Sequence, residues 1–197
     1  KAYVIDELLI DGAGFRNIAE DIYGNLWLLA SDKGLFKYDT KNKLYTQFTT
    51  DNSNQSISSN ACSSIVSDKN GNLWIGTLDK GLNLLRSDQL NKINPHFEYF
   101  QNDPLNLKSV NSNLINSLYV SKNNQLWVGT IGSGVSMFEP EQKEFNHFKI
   151  QSLINPLLST SNFVRSVYAD NDERIWVGTH NNGLFILDRT TGEFNKI

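Results

Sequence analysis

Short apolar runs of strand length recur along the whole chain, separated by clusters of Asn, Asp, Gly and Ser. Runs of this kind read as β-strands, and no segment keeps a helical period. The clearest is Leu73-Trp74-Ile75-Gly76-Thr77, preceded by the turn Asp68-Lys69-Asn70-Gly71-Asn72 and followed by Gly81-Leu82. The same pattern returns around Trp27, Trp127 and Trp176, so all four tryptophans occupy one slot, at spacings of 47, 53 and 49. A period near fifty with every tryptophan in register marks a repeat architecture.

Each repeat offers four strands. The first carries Ile18, Ile65, Leu118 or Val167 nine residues before the tryptophan, beside the small polar Asn17, Ser64, Ser117 or Ser166. Small side chains suit an innermost strand crowded by its neighbours. In the second strand, alternation sets Leu73, Ile75 and Thr77 on one face and Trp74 and Gly76 on the other. A recurring strand glycine (Gly76, Gly129, Gly178) marks close approach by a neighbour, and a tryptophan of the adjacent sheet is expected to lie over it. The third strand follows Gly34, Gly81, Gly134 or Gly183. The fourth carries the pairs Tyr45 and Phe48, Phe97 and Phe100, or Phe145 and Phe148, with Phe194 in the last repeat.

Four-stranded units of about fifty residues packed face to face describe an all-β propeller. The expected blades are 15–48, 61–100, 114–148 and 163–197, with 1–14 as the tail of a preceding blade and a connector. Repeat one departs from the pattern: Leu28-Leu29-Ala30 fills its glycine position, so its packing partner should differ. Repeat two carries about five extra residues within Asp88–His96, and repeat three lacks the turn glycine.

Composition narrows the function. With 18 basic and 21 acidic residues mixed along the chain, no nucleic-acid surface or polybasic membrane patch is expected. No stretch is apolar for long enough to span a bilayer, so membrane attachment could come only through regions outside this segment. The chain starts at Lys1, so it reads as a processed or trimmed piece, from which a leader could have been removed. Cys62 is the single cysteine, so no intrachain disulfide forms.

The repeats resemble the two-component-regulator propeller repeat. The resemblance rests on Ser67 through Thr77 with Gly81-Leu82, and on the connector from Asn102-Asp103-Pro104 to Ser109 through Ile115; it covers nearly all of 15–197. It implies the periplasmic sensor region of a Bacteroidetes hybrid histidine kinase, recognising glycan breakdown products and signalling to polysaccharide-utilisation genes. It also implies seven-bladed propellers, often in tandem, so four blades are expected to be a section of a longer array. A closed four-blade ring would leave Ala2–Ile5 as a surplus strand. The open end faces would then be covered by further blades or by another copy, a homodimer.

Candidate chemistry is sparse. Asp68-x-Asn70-x-Asn72 and Asp170-x-Asp172 open like a calcium loop but lack its closing glutamate, so they read as turns. His96, His147 and His180 have no partner at metal spacing, and no nucleophile elbow occurs. No metal, cofactor or catalytic residue is expected. The tryptophans read as blade packing rather than sugar platforms. Ligand contacts are expected where the repeats vary, in the loops between second and third strands: Asp32, Lys33, Asp79, Lys80, Ser133, His180, Asn181 and Asn182. Arg16 and Arg165 start innermost strands and could bind the carboxylate or sulfate of an acidic oligosaccharide. The alternatives are a propeller lyase or glycosidase using carboxylates from separate loops, or a protein-interaction scaffold.

Overall fold

The computed structural model describes residues 14–50, 56–148, 150, 163–188 and 191–197. The strand expected at Ala2–Ile5 lies outside these residues. Among these residues sixteen strands form four antiparallel sheets, each a meander in chain order. The first sheet holds β1 (Phe15–Glu20), β2 (Leu26–Ala30), β3 (Gly34–Asp39) and β4 (Leu44–Phe48). The second holds β5 (Cys62–Ser67), β6 (Leu73–Thr77), β7 (Leu82–Leu85) and β8 (Phe97–Phe100). The third holds β9 (Ile115–Val120), β10 (Leu126–Thr130), β11 (Val135–Glu139) and β12 (Glu144–Phe148). The fourth holds β13 (Val164–Ala169), β14 (Ile175–Thr179), β15 (Leu184–Asp188) and β16 (Glu193–Lys196). The extra residues of repeat two contain one 3-10 turn, Ser87–Gln89. The molecule is all-β, a partial propeller.

The sheets stack in chain order, each through its tryptophan face onto the next. Trp27 and Leu35 share a core with Ile65, Leu73, Ile75 and Phe97 of the second sheet. Trp74 and Leu82 do so with Leu118, Val128 and Phe138 of the third. Trp127 and Val135 do so with Val167, Val177 and Phe185 of the fourth. Each such side chain, fully buried, contributes about 1.5–3 kcal/mol. Among the described residues no core joins the fourth sheet to the first. On the fourth sheet the tryptophan face is only partly covered: Tyr168 is 55% exposed and Leu184 41%.

The strand glycines do mark close approach, but the neighbour is aliphatic, not a tryptophan. A Cβ on Gly76 would lie 2.6 Å from Ile115 Cγ2, and one on Gly129 would lie 2.5 Å from Val164 Cγ1. Ile115 and Val164 each sit twelve residues before the next tryptophan. In the first sheet Leu29 fills the notch, and the residue in the matching slot of the second sheet is Cys62, in the same core. A large side chain on one sheet is met by a small one on the next, as the altered repeat predicts. Burial pushes the Cys62 thiol up to about 12, so it serves as packing rather than as a nucleophile.

The aspartate turns are structural. Asp68 accepts the N–H groups of Asn70 and Asn72, the Asn72 amide, and Trp74 Nε1 at 3.0 Å. Asp21 and Asp170 hold Trp27 and Trp176 in the same way, at 2.9 and 2.8 Å. One carboxylate six residues upstream thus closes the turn and fixes the indole. In the third sheet this position is Ser121, whose hydroxyl accepts the Asn123 and Gln125 N–H groups but does not reach the indole. Among the described residues, Trp127 Nε1 is left buried without a partner. An orphaned buried donor costs about 1–3 kcal/mol. Ser121→Asp is therefore expected to stabilise the protein by about 1–2 kcal/mol, seen as a rise in melting temperature; a fall would refute the assignment.

Candidate functional site

The innermost strands β1, β5, β9 and β13 lie side by side, and each has an irregularity at the same place. The register skips one residue between Phe15 and Asn17, Cys62 and Ser64, Ile115 and Ser117, and Val164 and Ser166. The extra residues are Arg16, Ser63, Asn116 and Arg165, all eleven before a tryptophan. A bulge re-aims the side chain it inserts and terminates pairing nearby. Four bulges in register gather one variable residue from each sheet at the same end of the innermost strands.

The loops between second and third strands are fastened to this end. Ser31, Leu78, Ile131 and His180 each donate a backbone N–H to the carbonyl thirteen residues before the tryptophan, at Gly14, Ala61, Leu114 and Phe163. In three sheets a threonine closes the loop: Thr77, Thr130 and Thr179 donate to the carbonyls of Gly81, Gly134 and Gly183. Thr77 also accepts the Lys80 N–H, and Thr179 the Asn182 N–H. The turn needs glycine at its end: Gly81 has φ +74, and a Cβ there would lie 2.3 Å from the Phe100 carbonyl. Backbone is thus fixed while the side chains of Asp79, Lys80 and Asn181 stay exposed.

Of the candidate ligand residues singled out from sequence, Arg165 and His180 are joined side chain to side chain. Arg165 Nε and Nη2 lie 3.1 and 2.8 Å from His180 Nδ1, and the guanidinium sits 5.1 Å from the Phe163 ring. Two donors on Nδ1 make it an acceptor, which assigns the ring proton to Nε2 and leaves that N–H as a further donor. Arg16 donates Nε to the Ser31 hydroxyl at 3.0 Å. Both arginines thus have neutral partners, and neither forms an ion pair among the described residues. Asn116 donates to the Val164 carbonyl at 2.8 Å, bridging third and fourth sheets, and the buried Ser63 hydroxyl has no partner among the described residues. Sequence reasoning missed Ser63 and Asn116 because they resemble ordinary strand residues; the register skip alone marks them. Among the described residues no three His, Cys, Asp or Glu side chains group as a metal site requires. Among them, too, no helix is long and apolar enough to cross a membrane.

Comparison with known proteins places this geometry. Residues 56–79, 109–132 and 159–181 match the two-component regulator propeller family. A comparison with curated protein sequences gives no match. The extracellular domain of a hybrid two-component system from B. thetaiotaomicron is similar over 92% of this chain and 29% of its own, with 21% identity and TM-score 0.63. The extracellular domain of a one-component system from the same organism gives 93% and 24%, 21% identity and TM-score 0.69. Virginiamycin B lyase from Staphylococcus aureus gives 96% and 57%, 15% identity and TM-score 0.67. These likenesses show the fold, and the chain spans less than a third of the two extracellular domains.

Proposed function

We propose that this chain, three segments of which match the two-component regulator propeller family, is a non-catalytic, ligand-sensing segment of an extracytoplasmic sensor. The ligand is an acidic oligosaccharide, a product of glycan breakdown, bound at the bulge end of the innermost strands. One observation carries this reading: the bulges bring Arg16 and Arg165 to one end of the sheets, and among the described residues no carboxylate pairs with either. A planar guanidinium in that state suits a uronate or sulfate, and His180, Asn181, Asn182, Asp79 and Lys80 would contact the sugar hydroxyls from the flanking loops. In the same reading the segment is periplasmic and belongs to a hybrid histidine kinase acting on polysaccharide-utilisation genes. Further blades or another copy cover the Trp176 face.

A calorimetric titration with uronic and sulfated oligosaccharides, beside neutral ones, tests the site. Arg165→Ala and Arg16→Ala should each weaken acidic-ligand binding at least about tenfold, the worth of one charge-assisted contact. Unchanged affinity in Arg165→Ala would remove the site from consideration. Product appearing during the titration would favour a lyase instead.

A further inference from the structure

At the opposite end of the strands, the clefts between neighbouring sheets are not alike. Between first and second sheets the extra residues after β7 carry Leu90 into the Trp27 core, where it is 2% exposed. Lys37 lies 5.6 Å over the Trp27 ring and donates Nζ to the Leu90 carbonyl at 2.6 Å and to Asn91 Oδ1 at 2.9 Å. The chain thus fills its own cleft with a branched aliphatic side chain and satisfies the adjoining carbonyl with a cation.

Between second and third sheets the corresponding space is open. Its floor is Trp74, Phe100 and Phe138, with ring centroids 5.0–5.5 Å apart. Leu84 stands in the slot of Lys37, ten residues after the tryptophan. The β11–β12 turn holds only residues 140–143 and carries no counterpart of Leu90. The cleft encloses about 110 Å³, room for one branched aliphatic side chain and less than a whole small-molecule site. Its rim offers donors. Asn124 Oδ1 is taken by the Lys69 N–H at 2.7 Å, which leaves the amide Nδ2. Lys143 forms no ion pair among the described residues, whereas Arg86 is held by Glu98. The Asp68 carboxylate is engaged by its turn and by Trp74.

We propose that this second cleft is a binding site for a branched aliphatic side chain next to a carboxylate, the chemistry of a C-terminal leucine. The isobutyl group lies on the aromatic floor, as Leu90 does against Trp27. The carboxylate takes Lys143 and the Asn124 amide, as the Leu90 carbonyl takes Lys37. The site is separate from the bulge end and stands or falls independently of the oligosaccharide reading.

Titration of the chain with N-acetyl-leucine, followed through the indole N–H resonances, tests it. The Trp74 signal should shift saturably and the Trp27 signal should not, because Leu90 already fills that cleft. N-acetyl-leucinamide should bind at least about fivefold more weakly, in keeping with loss of a charge-assisted contact, and Lys143→Ala should abolish that preference. A tetrapeptide ending in leucine supplies the second arm: tighter binding than N-acetyl-leucine assigns the ligand to a peptide terminus, equal binding to a free acyl amino acid. No saturable shift at Trp74, or equal shifts at Trp74 and Trp27, overturns the proposal.

Discussion

Asp21→Ala is expected to destabilise the protein by about 3–5 kcal/mol, a third or more of a typical domain's stability. The carboxylate is 5% exposed and accepts four hydrogen bonds, from the Tyr23 and Asn25 N–H groups, the Asn25 amide and Trp27 Nε1, all at 2.9–3.0 Å. Alanine would leave the Asn25 amide and the Trp27 indole without acceptors at sites 5% and 0% exposed. Bonds to a charged acceptor are worth about 1.5–3 kcal/mol and stranded donors cost about 1–3 each, so the sum is large even after relaxation. Asp21→Asn should lose about 2 kcal/mol, since its amide nitrogen must face at least one of these donors. Urea midpoints at unchanged m-value measure both. A loss under about 1 kcal/mol for the alanine variant would mean that the turn holds itself without the carboxylate.

The same carboxylate shows how the sequence was only partly legible. The tryptophan register, the strand glycines and the turn clusters are local patterns, and they delivered four four-stranded sheets because each repeat satisfies its backbone within itself. The six-residue spacing from Asp21, Asp68 and Asp170 to tryptophan was present in the chain. It read as turn chemistry alone, because an indole bending back onto the turn is a side-chain geometry that periodicity does not encode. The exception at Ser121 pointed the same way. The row of bulges was hidden for a related reason: hydrophobic alternation resumes after a skipped residue, so Ser63 and Asn116 looked like ordinary members of their strands. The role of Leu90 could not be read either, since Ile93 in the same segment is equally apolar and is 93% exposed. What the sequence withheld was contact between repeats, and both proposed sites depend on it.

Contact between repeats is also where the second large effect is expected. Gly76→Leu should cost about 3 kcal/mol: its Cβ would meet Ile115 Cγ2 at 2.6 Å and Ser63 Oγ at 3.1 Å, and neighbouring cores leave no room to yield. Ile115 is fully buried, so Ile115→Cys alone should cost about 2 kcal/mol through the cavity it opens. The two changes together copy the pairing already used between the first and second sheets, where Leu29 and Cys62 are 0% and 1% exposed in one core. The double variant should therefore be more stable than the sum of the single losses by about 2 kcal/mol, the coupling expected of residues in direct contact. Additive losses would show that the notch is set by the Ser63 side, within one sheet, and not by the neighbour. A positive coupling would make the residue two after each tryptophan and the residue twelve before the next a matched pair. Gly178, whose Cβ position meets only Ser166 Oγ of its own sheet at 2.7 Å, would then call for a following sheet with isoleucine or valine in that slot. Phe15, which occupies that slot in the first sheet, is larger than the Ile115 and Val164 that meet Gly76 and Gly129.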